Sequence, residues 1–281
     1  MNKYLKLGIF VLFSIILILI LNKYLFNNNN NTKPNQIIES FKNINNKDIF
    51  DNETHDISKD VKIYCINLDK DTDRWSALQK QIKSNNLQVE RIPAVNGANV
   101  SESEYIRNGL LHKNHRLLKG QLGCALSHVK LWHKIKKDNK AFTLVLEDDI
   151  IITNDFKSKL NELIKYLPNS WDVIYLGGCN IKGKKFNEKL IYPTHFGKRY
   201  NLCTHAMLLN SERLDKLINV MTPIKESIDN QLRRKFPDLK VYYANPNMIL
   251  QNKDIRSSRR DIDGLPQSQF WKEHHSDINI D

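Results

Sequence analysis

The chain contains no Cys-x-x-Cys pair and no visible internal repeat. Its four cysteines are widely spaced: Cys65, Cys124, Cys179 and Cys203. Because structural zinc sites usually pair their cysteines at short spacing, this pattern argues against such a site. It also leaves any disulfide pairing, and therefore the redox compartment, open. The length of 281 residues allows one large domain or two small ones.

Acidic residues are also scarce, with 31 Asp and Glu against 43 Lys and Arg and a formal net charge of +12. A basic excess is common in proteins that bind nucleic acids. Here, however, the basic residues are spread along the chain and are not interleaved with aromatic residues on one segment. We therefore expect a solvated basic surface with no nucleic-acid partner, which would suit anionic small molecules or membrane headgroups.

An uncharged apolar run covers residues 7–21 and, extended through residues 24–26, approaches the ~20 residues that a membrane-spanning helix needs. The alternative is a cleaved signal peptide, but residues 22–31 contain no cleavage site of the small-residue type. We therefore predict an uncleaved signal anchor over residues 1–26 and a single-pass membrane protein. Basic residues flank the run on both sides, which leaves its orientation open.

Residues 27–60 are polar, rich in asparagine and weakly patterned, so we predict a stem between the anchor and the folded part. N-glycosylation sequons at Asn30, Asn52 and Asn99 are compatible with a lumenal domain of the ER or Golgi type. Such triplets also arise by chance in an asparagine-rich chain. The remaining predicted boundaries are 61–255 for the folded domain and 256–281 for a polar C-terminal tail.

Strand patterns alternate with helical patterns in the folded part. This alternation is typical of an α/β fold with a mostly parallel sheet and helices on both faces. The predicted strands cover residues 61–68, 89–94, 142–146 and 171–176, and the predicted helices cover residues 74–85, 121–137 and 156–167.

Polar or glycine-rich segments follow three of these strands, at Asp69–Arg74, Glu147–Asp149 and Gly177–Gly178. Ligands of α/β sheets bind beyond the carboxyl ends of strands, so we expect the three segments to converge on one crevice. Each segment also has a purely structural interpretation. Thr72 or Asp73 could cap the next helix, and the glycines could simply turn the chain.

The segment Thr143–Asp149 brings three consecutive carboxylates to the end of a predicted strand. Adjacent carboxylates in a poorly solvated place repel one another, and a divalent cation that prefers oxygen ligands relieves that repulsion. If the backbone stays extended, Glu147 and Asp149 share one face and Asp148 points away. The alternative is an acidic turn whose carboxylates bind nearby backbone donors.

Four motifs then occur in a familiar order. They are Ile63–Asp69 with Asp73 and Arg74, Ala94–Gly97, Gly123–His128, and Leu146–Asp149. Together they resemble glycosyltransferase family 25, which includes lipooligosaccharide and procollagen galactosyltransferases. The agreement in order and spacing extends over residues 61–255, and Thr204–Ala206 and Ile228–Asp229 resemble later motifs of the family.

The resemblance implies a GT-A fold, which is a nucleotide-sugar-binding α/β sandwich. It implies transfer of a hexose, commonly galactose, from a UDP-sugar to a hydroxyl group of a glycan or protein acceptor. Mn²⁺ or another divalent cation would be held by Glu147 and Asp149 and would act as Lewis acid for the departing UDP. The nucleotide-sugar site would comprise Asn67, Asp69, Arg74, Ser127, His128 and Asp148.

The family's transfers invert the sugar, which requires a base that deprotonates the acceptor hydroxyl. The Ile228–Asp229 match makes Asp229 the candidate catalytic base. Alternatives stay open, since Arg74 could pair with Asp71, Asp229 could cap a helix, and His128 could have a packing role. Two other functions also stay open: a membrane-anchored binding module that has lost transfer, and a metal-dependent phosphoesterase that uses the same acids.

Overall fold

The computed structural model describes residues 61–138, 140–197, 200–252, 254–255, 257–264 and 278–280. The predicted membrane anchor at residues 1–26 and the predicted stem at residues 27–60 lie outside this part. Among the residues described, no helix has the length and apolar character that crossing a membrane requires.

Strands and helices alternate in much of the described chain, as the sequence pattern predicts, but four strands follow one another between residues 173 and 210. The strands are β1 (Val61–Asn67), β2 (Val89–Pro93), β3 (Phe142–Glu147), β4 (Ile150–Ile152), β5 (Val173–Cys179), β6 (Ile181–Lys185), β7 (Leu190–Pro193), β8 (Leu202–Asn210), β9 (Val241–Ala244), β10 (Ile249–Gln251) and β11 (Ile278–Ile280). The α-helices are α1 (Thr72–Ser84), α2 (Glu102–Arg107), α3 (Lys119–Ile135), α4 (Phe156–Lys165), α5 (Leu214–Met221), α6 (Ile228–Lys235) and α7 (Ser258–Ile262).

Nine of these strands form one sheet in the order β11-β6-β7-β9-β5-β8-β3-β1-β2, and β4 pairs with β10 in a separate antiparallel ribbon. Seven of the nine strands run in the same direction, whereas β7 and β8 run in the opposite direction. The prediction of an α/β fold with a mostly parallel sheet is therefore confirmed. The two reversed strands were not predicted.

Successive residues of the central strands enter different hydrophobic cores, one on each face of the sheet. Ile63 and Leu144 belong to a core that includes residues of α1 and α4. Tyr64 and Val145 belong to a second core, which includes residues of α3, α5 and α6. This confirms the predicted placement of helices on both faces and explains the unbroken apolar run Leu144–Leu146 in β3.

Two glycines in the motifs that resemble glycosyltransferase family 25 are required for steric reasons. A Cβ atom on Gly97 would lie 1.7 Å from the carbonyl oxygen of Lys119, and one on Gly123 would lie 2.4 Å from that of Val95. Only glycine permits these contacts. They dock the loop after β2 directly against the first turns of α3.

The glycine pair Gly177–Gly178 does not end its strand, contrary to the prediction. β5 continues through both residues to Cys179, and its register with β8 shifts at Gly177. A Cβ atom on Gly177 would lie 1.8 Å from the carbonyl oxygen of Ile249 in β10. The glycine therefore admits a neighbouring backbone inside the fold, and neither glycine reaches the cavity described below.

A disulfide joins Cys179 at the end of β5 to Cys203 near the start of β8. The sequence leaves this pairing open, and the antiparallel pairing of the two strands brings the cysteines together. Cys65 and Cys124 are outside the disulfide.

The described part of the predicted C-terminal tail is packed on the domain. Helix α7 contacts α3, and β11 pairs in parallel with β6 at the edge of the sheet. The folded unit therefore extends past the predicted boundary at residue 255. The polar composition of residues 256–281 does not indicate that this segment hydrogen-bonds to the rest of the domain.

Candidate functional site

A cavity of about 400 Å³ lies beyond the carboxyl ends of β1 and β3. Seven of the nine residues predicted from the sequence line it: Arg74, Ser127, His128, Glu147, Asp148, Asp149 and Asp229. Asn67 and Asp69 are not part of the lining. The cavity is where the sheet rule places a ligand site, although only two of the three expected segments reach it.

The chain bends at Asp148 and Asp149, so the backbone of Glu147–Asp149, here called the acidic turn, is not extended. Arg74 Nη2 lies 2.5 Å from Asp148 Oδ1 and 2.9 Å from Asp149 Oδ2. The alternation predicted for an extended backbone therefore does not apply, and both aspartates contact one guanidinium group. The alternative partner of Arg74 is weaker, since Asp71 Oδ2 lies 3.8 Å from Arg74 Nη1.

Glu147 is held by a different set of groups. Its Oε1 accepts a hydrogen bond of 2.7 Å from the hydroxyl of Thr204, and it lies 3.1 Å from His128 Nε2. Thr204 belongs to β8 and His128 to α3. The end of β3 is thus fixed between a neighbouring strand and the helix on one face of the sheet.

The pKa values of these adjacent carboxyl groups are shifted in opposite directions. Burial raises the pKa of Asp148 to about 6, because desolvation outweighs the opposing charge of Arg74. Burial also acts on Glu147, but hydrogen bonds and charge from His128, together with Thr204, outweigh it and lower the pKa of Glu147. Asp149 Oδ1 is buried and has no hydrogen-bond partner among the described residues.

Asn67 is almost fully buried and forms a hydrogen bond with Asp148. Its Nδ2 donates a 2.6 Å hydrogen bond to Asp148 Oδ2, and its Oδ1 accepts one of 2.6 Å from Arg91 Nε. Arg91 also pairs with Asp69, whose side chain is 76% exposed. We therefore interpret Asn67 as a residue that orients Asp148, and Asp69 as a surface partner of Arg91.

Ser127 connects α3 to the loop after β2. Its hydroxyl accepts a 2.8 Å hydrogen bond from the backbone N–H of Val95 and donates one of 2.6 Å to the carbonyl oxygen of Gly123. Ser127 therefore lines the cavity while shaping its wall, because Val95 is also a lining residue.

Asp229 lies in the first turn of α6 and lines the same cavity as the acidic turn. Its Oδ1 accepts a 2.8 Å hydrogen bond from the backbone N–H of Asn230. Arg233 follows one helical turn later and is 2% exposed. Burial lowers the pKa of Arg233, and the charge of Asp229 opposes that shift. The helix therefore presents its carboxylate beside a buried cation.

The donor set of the cavity fits a hard divalent cation such as Mn²⁺ or Mg²⁺. Six carboxylates line it against two arginines among the described residues, and Asp149 Oδ1 has no hydrogen-bond partner there. A softer group also exists, because ligand atoms of Cys124, His128 and Glu147 lie within 4.8 Å of one another. A similar group of Cys179, Cys203 and His205 has its sulfur atoms joined in the disulfide.

Sequence reasoning missed several residues around the cavity. Gln251, Asn252, Ser257, Ser258 and Arg260 all line it, and the last three come from the predicted tail. No local pattern marks them, because tertiary contacts bring them there: β10 pairs with β4, and α7 contacts α3. Arg91 was missed for the same reason, since its partner Asn67 is 24 residues away.

Residues 60–232 match the family described as glycosyltransferase family 25 (LPS biosynthesis protein). A glycosyltransferase 25 family member of Aedes aegypti is 31% identical over 207 residues, which cover 66% of this chain and 33% of that protein. Procollagen galactosyltransferase 2 of Homo sapiens is 24% identical over 216 residues, which cover 67% of this chain and 34% of that protein. The chain spans about a third of the length of these relatives.

Among solved structures, a mutant Drosophila galactosyltransferase 7 in complex with manganese, UDP-Gal and xylobiose aligns with a TM-score of 0.37 and 10% identity. The alignment covers 74% of this chain and 76% of that chain. The family match covers more than half of this chain and includes the acidic turn, α3 and Asp229. The protein therefore belongs to glycosyltransferase family 25.

Proposed function

We propose that the protein is an inverting glycosyltransferase with a GT-A fold that moves a hexose from a UDP-sugar to a hydroxyl group of a glycan or protein acceptor. Galactose is the first candidate sugar, because relatives of this chain are named galactosyltransferases. The observation that carries the proposal is the common cavity, which places the acidic turn, Arg74 and Asp229 around one space.

We assign the metal site to Asp149 and Asp148. Both carboxylates converge on the guanidinium of Arg74, and Asp149 Oδ1 has free capacity as an acceptor among the described residues. Glu147, which the sequence analysis pairs with Asp149 as a metal ligand, has its Oε1 in contact with His128 and Thr204. A bound Mn²⁺ would supply Lewis-acid stabilisation of the departing diphosphate.

The protein's own residues would perform the remaining steps. Arg74 would neutralise negative charge at the acidic turn and, with its planar fork of donors, suits a phosphate group. Asn67 would hold Asp148 in place. Asp229 would accept the proton of the acceptor hydroxyl as that oxygen attacks the sugar, on the face opposite the leaving nucleotide.

The test uses the full chain with a panel of UDP-sugars and simple acceptors, with Mn²⁺ or with EDTA. We expect acceptor-dependent release of UDP from one donor, with Mn²⁺ only. The variant Asp229→Asn should lose at least 100-fold in turnover while it still binds UDP and Mn²⁺, because general-base catalysis contributes about 10²–10⁴-fold. The matched control is Asp238→Asn, whose side chain is 57% exposed and outside the cavity.

Two results would reject this function. Turnover that is equally fast in EDTA would remove the metal from the mechanism. Tight binding of an acceptor glycan without transfer from any donor would identify a binding module that retains the fold.

We also propose that the domain is lumenal and held by a single membrane helix. The disulfide between Cys179 and Cys203 supports an oxidising compartment. Expression in eukaryotic cells, membrane fractionation and digestion with an endoglycosidase would test this. Recovery in the soluble cytosolic fraction with both cysteines reduced would contradict it.

A further inference from the structure

Two cysteines, a histidine and a glutamine meet where β5, β8 and β10 lie side by side. Cys179 ends β5, Cys203 and His205 belong to β8, and Gln251 ends β10. The two sulfur atoms and a ring nitrogen of His205 lie within 4.8 Å of one another. Gln251 Oε1 lies 3.5 Å from Cys179 Sγ and 3.4 Å from Cys203 Sγ. Four side chains that can each bind a metal ion thus converge on one point.

The ring of His205 is held in the orientation and protonation that metal binding requires. Its Nε2 lies 3.2 Å from the carbonyl oxygen of Ile249, and because a carbonyl oxygen only accepts, Nε2 carries the proton. In the neutral ring, Nδ1 then carries the lone pair, and this buried atom has no hydrogen-bond partner among the described residues. A histidine that binds a metal ion commonly donates its other N–H to a backbone carbonyl in this way.

Gly177 makes room for this ring. A Cβ atom at that position would lie 2.5 Å from His205 Nε2 as well as 1.8 Å from the carbonyl oxygen of Ile249. The glycine therefore permits both members of the hydrogen bond that orients His205.

The spacing of the four groups suits Zn²⁺. Thiolate sulfur and imidazole nitrogen are ligands that zinc prefers. Four ligands at about 2.0–2.3 Å around a tetrahedral ion lie about 3.3–3.8 Å from one another. Both distances from Gln251 Oε1 to the sulfur atoms fall in this range. The sulfur atoms themselves are joined in the disulfide, so the complete site requires that the S–S bond be broken.

We propose that the disulfide is one state of a redox-controlled metal site. In the reduced protein, Cys179, Cys203 and His205 bind Zn²⁺, and Gln251 Oε1 is the fourth ligand. A dithiol supplies the two electrons. Its thiolate attacks the sulfur of Cys203, which lines the cavity, the S–S bond breaks, and the dithiol leaves as its own disulfide. The two cysteine thiols release their protons to solvent when the ion binds.

This site is separate from the metal site assigned to Asp148 and Asp149, and none of its four ligands has been given a role in sugar transfer. The inference therefore does not depend on the proposed function. The two sites are nevertheless neighbours, because Gln251 Nε2 donates a 3.3 Å hydrogen bond to Asp149 Oδ2. Zinc in the reduced protein would lie one side chain away from the acidic turn.

Metal titration of the full chain in its oxidised and reduced forms tests the proposal. The reductant is a water-soluble phosphine, and the probe is Co²⁺, which absorbs visible light strongly when it is bound tetrahedrally by thiolates. We expect the reduced wild type to bind one more equivalent of Co²⁺ than the oxidised wild type, and Zn²⁺ to displace it. In the reduced form, Cys203→Ser and His205→Ala should bind this equivalent roughly tenfold more weakly or worse.

The matched control is Cys124→Ser, because Cys124, His128 and Glu147 form the other soft group beside the cavity. It should keep the binding that depends on reduction within twofold of the wild type. His205→Ala removes a buried ring, so urea denaturation of its oxidised form verifies that it folds. Gln251→Leu removes a less buried ligand and should weaken Co²⁺ binding by a smaller factor.

Two results would overturn the proposal. One is equal uptake of Co²⁺ by the reduced and the oxidised wild type. The other is loss of the additional equivalent in Cys124→Ser with its retention in His205→Ala, which would assign the binding to the other group. Neither result would affect the proposed function, since the titration contains no donor and no acceptor.

Discussion

The acidic turn has two adjacent parts with different surroundings, Glu147 on one side and Asp148 with Asp149 on the other. Glu147 contacts the neutral hydroxyl of Thr204 and the imidazole of His128, and these neighbours lower its pKa. Asp148 and Asp149 share the guanidinium of Arg74, yet burial still raises the pKa of Asp148 to about 6. One peptide unit separates a carboxylate that lies against Thr204 and His128 from a pair that shares the guanidinium group of Arg74.

The difference teaches that three consecutive acids do not make three equivalent ligands. Glu147 completes the packing of β3 against α3 and β8. The aspartates form a buried acidic pair with one cation and with an acceptor atom, Asp149 Oδ1, that has no partner in the described structure. We therefore expect a divalent cation to bind Asp148 and Asp149 rather than Glu147.

The largest effect should come from Asp149→Asn. The substitution preserves shape but removes the charge that we assign to the metal site, so we expect metal-dependent transfer to fall by a factor on the order of 10³. Binding of Mn²⁺, followed by paramagnetic resonance of the free ion, should be lost in parallel. Asp69→Asn is the control, because Asp69 is exposed and outside the cavity.

If Glu147→Gln abolished Mn²⁺ binding while Asp149→Asn retained it, the division between the two parts would be reversed. That outcome would restore Glu147 as a metal ligand, a role that the sequence analysis gives to Glu147 and Asp149 together.

The next effect concerns Arg74→Met in the metal-free protein. Removing the cation leaves two buried carboxylates without compensation, and we expect a loss of about 3 kcal/mol in the free energy of unfolding at pH 7. Urea denaturation in EDTA measures this loss. Added Mn²⁺ should restore much of it, because a bound divalent cation replaces the missing charge.

Arg234→Met serves as the surface control for this experiment and should change stability by less than about 0.5 kcal/mol. Destabilisation of Arg74→Met that Mn²⁺ does not relieve would separate the acidic pair from any metal site.

A smaller effect should appear in the pH dependence of stability. The pKa of Asp148 in the folded state is about 6, above its ordinary value, so the folded protein binds more protons than the unfolded chain between about pH 4 and pH 6. This group therefore adds stability as the pH falls. We expect it to contribute about 1 kcal/mol between pH 7 and pH 5 in EDTA.

The variant Asp148→Asn should lose that contribution, and the difference between the two proteins is measured by urea denaturation at each pH. Parallel curves for wild type and variant would show that Asp148 titrates normally and that Arg74 compensates its burial fully.

The smallest effect should come from Thr204→Val on the other part of the turn. It removes one hydrogen bond to Glu147 while His128 remains, so stability should fall by about 0.5–1 kcal/mol. The affinity for Mn²⁺ should stay within twofold of the wild type, measured by the same titration as above. A tenfold loss of Mn²⁺ affinity would mean that Glu147 and the aspartates act as one ligand set.

Much of the fold follows from local patterns. The apolar run of β3 and the amphipathic pattern of α4 give their elements within a few residues of the observed ends. The direction of β7 and β8 does not follow, because strand polarity depends on which neighbours a strand pairs with. The position of Gly177 inside β5 also depends on a distant strand, β10, whose backbone occupies the space of a side chain.

The candidate site, like the fold, could be predicted only in part. Seven predicted residues line the cavity because motifs at the ends of β1 and β3, on α3 and on α6 are brought to one place by the α/β topology. The partner of each carboxylate could not be predicted, since Arg74, Thr204 and His128 come from different elements. The side-chain directions at Asp148 and Asp149 depend on a bend that the extended-strand pattern does not indicate.

The sequence by itself determined the fold class, the family resemblance and the position of the acidic turn at the end of a buried strand. These features depend on residue types at short spacing, where periodicity and steric rules act directly. The tertiary structure alone decided the disulfide between Cys179 and Cys203, the pairing of Arg74 with two aspartates, and the arrival of Arg260 at the cavity. Each of these joins residues far apart in the chain, and burial and charge act on them only after the chain has folded.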